Sequence, residues 1–255
     1  MSLCKRFLST SVLPATILAA VLPSLAQVSV TVPETDPKAL AKRPDPNPIV
    51  KALENAASHK GITAWWLGNS GFAVQIDDKV ILTDPVIELG RDGDPLAGEM
   101  GWRPEGPGEW LRPAWECDQF VRLRYRLPVL AREVPRCDLV VVSHAHEDHA
   151  GSRTLHVLGQ RVWKCRFAAP PDMGRKLADL GIDSTYIHVN LPGKKKTLGG
   201  IEVEWTYAKH GPETSCCGFL LRYKGKSIFY TGDTRTTERI TDLKDIDLLL
   251  LPIPE

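Results

Sequence analysis

The stretch LVVVSHAHEDHAG, residues 139–151, places three histidines and two acids directly behind a short apolar run. The uninterrupted apolar run is typical of a strand that is covered on both faces of a sheet. In an extended loop, residues two apart point the same way, so His144 and His146 can bind one ion. Asp148 and His149 continue around the turn and can face a second ion. The stretch therefore predicts a metal site on a rigid, buried strand end.

Composition describes the rest of the chain in broad terms. The 255 residues are 43% hydrophobic and 25% charged, which is typical of a folded globular protein. The formal net charge of +1 gives no concentrated basic surface, so we expect no nucleic-acid partner. Specificity is therefore expected to come from a defined site for a small molecule.

The N-terminal segment, residues 1–26, is predicted to be a signal peptide. Lys5 and Arg6 precede an apolar stretch, and residues 24–26 (SLA) place small side chains where a signal peptidase cleaves. We therefore expect an exported protein, periplasmic or secreted, with no transmembrane span after cleavage. An uncleaved membrane anchor and a mitochondrial presequence are the alternatives.

Alternation of apolar residues divides the remaining chain. Residues 27–60 are predicted to form a Pro-rich linker and a short helix. Residues 86–118 form a Trp-, Gly- and Pro-rich insertion, interpreted either as a substrate lid or as an inert surface loop. Strands are predicted at 62–67, 72–76, 80–83, 201–205, 218–223, 226–231 and 247–251, and helices at 151–158 and 172–180. Antiparallel strand clusters with helices between them favour two sheets flanked by helices.

A row of arginines lies in residues 120–127, which alternate strictly between polar and apolar side chains. Guanidinium groups match the geometry of carboxylates and phosphates. Arg122 and Arg124 are therefore candidates for contact with an anionic substrate. The alternative is the solvated outer face of a strand.

The histidine-rich stretch also carries a family resemblance. HAHEDH fits the H-x-H-x-D-H motif of the metallo-β-lactamase superfamily. In the same order, ILTDP (81–85) resembles the family's strand-to-aspartate segment, AKH (208–210) its third histidine, and YTGDT (230–234) its bridging aspartate. The resemblance covers residues 61–255. Within the superfamily it is closest to UlaG-like lactonases and N-acyl-phosphatidylethanolamine phospholipase D-like hydrolases, judged by WLGNSG, RYRLPV, GDT and LLLLPI.

The resemblance implies a fold and a set of ligands. The fold is an α/β (in some schemes α+β) four-layer αββα sandwich, incomplete here at the C-terminal end. One divalent metal would be held by His144, His146 and His210. A second would be held by Asp148 and His149, with Asp233 bridging both. Two Zn²⁺ ions are expected, although Mn or Fe suits the same ligands. The implied ligands are His144, His146, Asp148, His149, His210 and Asp233, of which Asp148 also orients the nucleophile as a catalytic residue.

Three further residues are placed by the resemblance. Asp84 is expected to hydrogen-bond a ligand histidine. Asn69 stands where many relatives carry a histidine in a W-L-G-H-S/A turn, and it is expected to hydrogen-bond into the cleft. Glu147 occupies the variable position of the motif and is expected to be exposed.

The C-terminal end departs from the family pattern. Relatives continue beyond the LLLLPI strand and supply a last histidine to the second metal, whereas no histidine follows Asp233 here. The resemblance therefore implies a chain that is truncated at its C-terminus.

These residues predict a metal-dependent hydrolase. Hydroxide generated at the metals would attack an ester, lactone, amide or phosphodiester bond of a small, anionic or lipid-like substrate. The missing histidine supports an alternative, which is a non-catalytic or inactive truncated remnant that binds metal. A di-iron redox protein is a third hypothesis.

Overall fold

The computed structural model describes residues 47–88 and 128–252, except residues 162, 164, 213 and 236–242, together with the backbone of five short strands elsewhere. Within these residues the chain forms two large sheets, one small sheet and three α-helices. No helix in this part of the chain has the length and hydrophobicity that crossing a membrane requires.

The first large sheet has seven strands, which are β2 (Val28–Thr31), β3 (Ile62–Gly68), β4 (Gly71–Ile76), β5 (Lys79–Thr83), β9 (Leu139–Val141), β10 (Arg166–Ala169) and β11 (Ile187–Val189). Their order is β11-β10-β9-β5-β4-β3-β2. Strands β3, β4 and β5 form an antiparallel meander, whereas β5, β9, β10 and β11 run parallel. Strands β4 and β9 are buried throughout, as expected for a sheet that is covered on both faces.

The second large sheet has six strands, which are β1 (Leu18–Val21), β12 (Lys195–Leu198), β13 (Ile201–Tyr207), β14 (Cys217–Tyr223), β15 (Lys226–Tyr230) and β16 (Leu248–Leu251). Their order is β1-β16-β15-β14-β13-β12. Along β13, buried and half-buried residues alternate, so that Ile201, Val203 and Trp205 face the first sheet.

Three α-helices lie outside the sheets: α1 (Pro48–Glu54), α2 (Ser152–Gly159) and α3 (Met173–Asp179). Short 3₁₀ helices cover Ala56–Ser58, Ala131–Glu133 and Ser184–Tyr186. Asn47 caps the N-terminus of helix α1, and its side chain accepts a hydrogen bond from the Ile49 amide at 3.0 Å. All three helices bury apolar side chains against the same face of the seven-stranded sheet.

The apolar side chains form two main cores. One core lies between the two sheets and contains Phe72, Trp205 and Phe219, all fully buried. The other lies between the seven-stranded sheet and the helices and contains Leu53 and Leu155. One helical layer and both sheets of the expected sandwich are therefore present in the described residues, and the predicted α/β fold class is confirmed.

The remaining strands lie in segments that the structure describes only in part. Strands β1 and β2 pair with β16 and β3, and they fall within the predicted signal peptide and linker. Strands β6 (Arg103–Pro104), β7 (Trp110–Arg112) and β8 (Val121–Arg122) form the small sheet. The Arg122 side chain and all of Arg124 lie outside the described residues. The predicted segment boundaries, the insertion's role and the substrate contacts of both arginines therefore stay predictions.

A pair of hairpin turns joins the two large sheets. The β4–β5 turn carries Asp77 and Asp78, and the β14–β15 hairpin carries Tyr223, Lys224 and Lys226 at its end. Lys224 Nζ lies 2.7 Å from Asp78 Oδ1, and Tyr223 donates to the same oxygen at 3.0 Å. Lys226 Nζ lies 2.9 Å from Asp77 Oδ2. The sheets are thus linked by ion pairs at their turn ends.

This link predicts a loss of stability in acid. The hydrogen bond from Lys224 lowers the pKa of Asp78 from 3.8 to about 2. Because this pKa is lower in the folded than in the unfolded chain, the contribution to the free energy of unfolding is complete above about pH 4 and is lost as the pH falls towards 2. In denaturant unfolding between about pH 5 and about pH 2, the free energy of unfolding should therefore fall less for Asp78→Asn than for the parent protein.

The control for this experiment is Asp179→Asn, which changes an exposed carboxylate on α3. It is expected to follow the parent protein at every pH. An Asp78→Asn variant that loses stability as steeply as the parent protein would contradict the prediction.

Candidate metal centre

The histidine-rich motif lies at the edge where β5 and β9 both end. Because these strands are parallel neighbours, Thr83 pairs with Val141, and the Asp84 amide donates to Val141 O at 2.9 Å. Asp84 and Ser143 therefore leave the sheet side by side. The motif then turns through residues 144–149 and enters helix α2.

The second sheet contributes three more segments to this edge. His210 follows β13, and Asp233 follows β15. An isolated bridge between His144 and Cys216 brings the start of β14 against the motif. Gly232 packs so closely that a Cβ there would lie 2.5 Å from Ser143 Cβ, and its φ of 56° also favours glycine. The site is therefore shared between the ends of both sheets.

Three histidine rings converge in the first part of the site. His144 Nε2 lies 2.9 Å from His146 Nδ1, and His210 Nε2 lies 3.4 Å from the same atom. One ligand atom from each ring lies within 4.8 Å of the others. Burial, followed by the neighbouring His149 charge, lowers the pKa of His144 to about 2, and burial also lowers the pKa of His146. Imidazoles that are neutral, as these pKa directions indicate for His144 and His146, can donate lone pairs to a cation.

A second group of side chains surrounds His149 Nε2. This atom lies 3.2 Å from Asp233 Oδ1, 3.7 Å from Asp148 Oδ2 and 3.3 Å from Ser70 Oγ. Burial lowers the pKa of His149, but hydrogen bonds with Asp233 and Asp84 outweigh burial and raise that pKa to about 10. Burial raises the pKa of Asp233, but the hydrogen bond with His149 and the charges of the neighbouring histidines together outweigh burial and lower that pKa to about 2.

One carboxylate oxygen in this group tests whether a cation fits. Asp148 Oδ1 is buried and has no hydrogen-bond partner among the residues that the structure describes. A buried carboxylate oxygen without a partner is unfavourable unless a cation or water satisfies it. Together with the converging imidazoles, this atom fits a divalent cation.

Asp84 organises the site by accepting hydrogen bonds. Its carboxylate is fully buried. Oδ1 accepts from the Ser143 amide at 2.6 Å, and Oδ2 accepts from Tyr230 OH at 2.6 Å, from His149 Nδ1 at 2.7 Å and from the Ser143 hydroxyl. One carboxylate oxygen of Asp84 and one ring nitrogen each of His144 and His149 lie within 4.8 Å of one another. Four donors already occupy the oxygens of Asp84, which favours the orienting role predicted from the sequence over that of a ligand.

These hydrogen bonds determine which ring nitrogens carry protons. A carboxylate only accepts, so His149 presents Nδ1–H to Asp84. The Ser143 hydroxyl gives its proton to Asp84 and accepts from His144 Nδ1 at 2.9 Å. In both rings Nε2 is therefore the atom left to face the site.

The structure brings together all six candidate ligands and Asp84. Asn69 lies in the β3–β4 turn with a φ of 46°, and its carbonyl accepts from Trp66 Nε1 at 2.8 Å. The role predicted for the Asn69 side chain stays a prediction. Its neighbour Ser70, which the sequence did not single out, has its hydroxyl oxygen 3.3 Å from His149 Nε2. Sequence reasoning also missed Ser143 and Tyr230. Ser143 directly follows a buried strand and Tyr230 begins the YTGDT segment, but neither position indicates a contact with Asp84.

Comparison with known proteins agrees with this geometry. The model of the β-lactamase superfamily domain matches residues 80–254. The chain belongs to the metallo-β-lactamase superfamily. The predicted family is thereby confirmed, and the narrower UlaG-like branch stays a prediction.

Relatives carry names that refer to metal and hydrolysis. A UPF0173 metal-dependent hydrolase of Pelotomaculum thermopropionicum is 26% identical over 202 residues, which cover 74% of this chain and 70% of the relative. One of Methanosarcina barkeri is 27% identical over 208 residues, covering 76% and 71%. A solved structure from Parabacteroides distasonis, described as that of a metal-dependent hydrolase, has a TM-score of 0.50 and 18% identity over 74% of this chain and 69% of that one. This structural likeness shows the fold alone.

Proposed function

We propose that this chain is a metal-dependent hydrolase that acts at the site where the ends of the two sheets meet. The observation that carries the proposal is the convergence of three imidazoles, His144, His146 and His210, near Asp148 Oδ1, a buried oxygen for which the described part of the chain offers no hydrogen-bond partner. The names of the relatives support the same activity. The bond cleaved would be an ester, lactone, amide or phosphodiester.

The side chains divide into two proposed cation positions. His144, His146 and His210 would hold the first, and Asp148 and His149 the second, with Asp233 shared between them. Nitrogen and carboxylate ligands suit two Zn²⁺ ions, and Mn or Fe as alternatives. When bound, such ions act as Lewis acids and supply hydroxide near neutral pH.

The protein's own groups prepare this chemistry. Asp84 holds His149 directly and His144 through Ser143, so that both Nε2 atoms face the reaction site. With Asp148 Oδ1 holding a cation, the other oxygen of the same carboxylate, Oδ2, would be available to accept a proton from an attacking water. We therefore assign proton transfer and orientation of the water to Asp148.

The proposed substrate is a small molecule, anionic or lipid-like. We also propose that this substrate contacts Arg122 and Arg124. Neither arginine side chain lies in the described residues, so these contacts rest on the sequence alone. Export through the segment 1–26 is also proposed, on the charge and cleavage pattern of its sequence.

Metal analysis combined with a hydrolysis screen tests the proposed function. We expect about two equivalents of zinc or manganese per folded chain. The variants His146→Ala and Asp233→Asn should hold less metal. The control is His188→Ala, a half-buried histidine near Lys196 that belongs to neither proposed set of ligands. That variant should keep the full metal content.

The screen uses nitrophenyl esters, lactones, anilides and bis(nitrophenyl) phosphate. One of these should be hydrolysed by the parent protein, with activity lost in chelator and restored by Zn²⁺. Less than one equivalent of metal in a well-folded protein would overturn the proposal. Full metal content without turnover of any substrate would favour the non-catalytic alternative, and stoichiometric iron would favour the redox one.

A further inference from the structure

His146 is held differently from its two neighbours in the motif. His144 is fixed through Ser143, and His149 through Asp84. Among the described residues, by contrast, the ring of His146 has hydrogen-bond contacts only with His144 and His210. The direction of this ring therefore depends on the backbone that carries it.

The backbone on both sides of His146 is anchored by one lysine. Lys176 Nζ donates to Ala145 O at 3.1 Å and lies 2.6 Å from Glu147 Oε1. The same carboxylate accepts from the Ser152 hydroxyl at 2.8 Å and from the Ser152 amide at 3.2 Å. The expectation that Glu147 is exposed is thus wrong: its side chain packs against these donors and is only 20% exposed.

Both anchors belong to rigid elements. Lys176 lies on α3, whose Met173 and Leu177 are fully buried in the core. Ser152 is the first residue of α2, which packs against the same core. The Lys176 side chain is 24% exposed, so its ion pair with Glu147 is better shielded from solvent than an ordinary surface pair. Charge-assisted hydrogen bonds of this length are among the stronger ones.

We propose that Glu147 and Lys176 are positioning residues that hold His146 in its place in the metal site. The inference rests on the proposed function, because it assumes that His146 is a ligand. Lys176 fixes the carbonyl before His146 and the side chain after it, and it does so from a helix that contributes no ligand. The same donors keep the Glu147 carboxylate occupied, so that it does not compete for the cation.

The test replaces Lys176 by methionine, which keeps the length of the side chain and removes its donors. The matched control is Arg175→Met on the same helix, because the ion pair that Arg175 makes among the described residues is an exposed contact of 3.5 Å with Asp179. Affinity for Zn²⁺ is measured by competition with a chromophoric chelator. Ligand geometry is followed by the visible absorption spectrum of the Co²⁺-loaded protein.

We expect Lys176→Met to weaken Zn²⁺ binding by about 10–100-fold and to change the Co²⁺ spectrum, since loss of a supporting partner typically has this effect on a metal site. Arg175→Met should match the parent protein in both readouts. Lys176→Arg, which keeps the charge and the donors, should recover part of the affinity. Glu147→Gln keeps an acceptor for Ser152 and should change the spectrum even if Lys176→Met folds poorly.

The outcomes separate this inference from the proposed function. If the folded parent protein binds neither Zn²⁺ nor Co²⁺, both proposals fail. If the parent protein binds metal, and Lys176→Met and Glu147→Gln bind it equally well with an unchanged spectrum, only the positioning role is overturned. A variant that is less stable but has parent-like affinity and spectrum would likewise assign the pair a purely structural role.

Discussion

Replacing Asp84 by alanine is expected to lower the free energy of unfolding by about 3–5 kcal/mol, the range found when one partner of a buried ion pair is removed. The carboxylate is fully buried and accepts four hydrogen bonds. Its removal takes away the acceptor of the Ser143 amide, and it leaves Tyr230 OH with a longer bond to Ser70 O at 3.1 Å and His149 Nδ1 with a contact of 3.4 Å to Ser143 Oγ. Each donor that loses its best acceptor adds to the loss. Metal content should fall as well, because His144 and His149 lose the group that orients them.

Equilibrium unfolding in urea, followed by tryptophan fluorescence, measures this effect. Asp84→Asn keeps the shape but replaces two acceptor oxygens by one, so it should fall between the parent protein and the alanine variant. Asp179→Ala, an exposed carboxylate, should change stability by less than about 0.5 kcal/mol. A loss below about 1 kcal/mol in Asp84→Ala would show that the four donors find other partners.

Replacing Trp205 by alanine is expected to destabilise the protein by about 3–5 kcal/mol, the usual result of emptying a core position of this size. The indole is fully buried between the sheets, with the Phe219 ring at a centroid distance of 6.0 Å. Its Nε1 also donates to Ala169 O at 2.9 Å, across to the end of β10 in the other sheet. The variant therefore loses both core packing and a hydrogen bond between the two sheets.

Two substitutions separate these contributions in urea unfolding. Trp205→Phe keeps an aromatic ring and removes the donor, so it should cost less than the alanine variant. Leu191→Ala changes a side chain that is 43% exposed and should alter stability by less than about 0.5 kcal/mol. The interpretation of Trp205 as a main core residue would be wrong if Trp205→Ala and Leu191→Ala unfolded at the same urea concentration.

Local sequence patterns were sufficient for most of the fold. The alternation in β13 and the short turns at Asp77-Asp78 and Lys224-Gly225 predicted strands and hairpins close to those observed. The apolar run before His144 predicted a buried strand, and β9 is one. These features depend on neighbours in the chain, which is why a single sequence reveals them.

Contacts between distant segments could not be predicted in the same way. Tyr230 reaches Asp84 across 146 residues, and Lys176 reaches Glu147 across 29. Nothing in the local pattern of either segment indicates its partner, because the sheet order and the helix packing bring them together. Strand β1 is a similar case, since its pairing with β16 is decided at the far end of the chain.

The candidate ligands come from loops of both sheets, and this has a consequence for the chain as a polymer. An ion held by both His146 and His210 would close a loop of 64 residues, much as a covalent cross-link does. The unfolded chain has no such preformed site, so binding would favour the folded state by about 4 kcal/mol at a free metal concentration a thousand times the dissociation constant. The ion would then act as a reversible cross-link between segments of the two sheets. Removing it with a chelator would destabilise the fold as well as the active site.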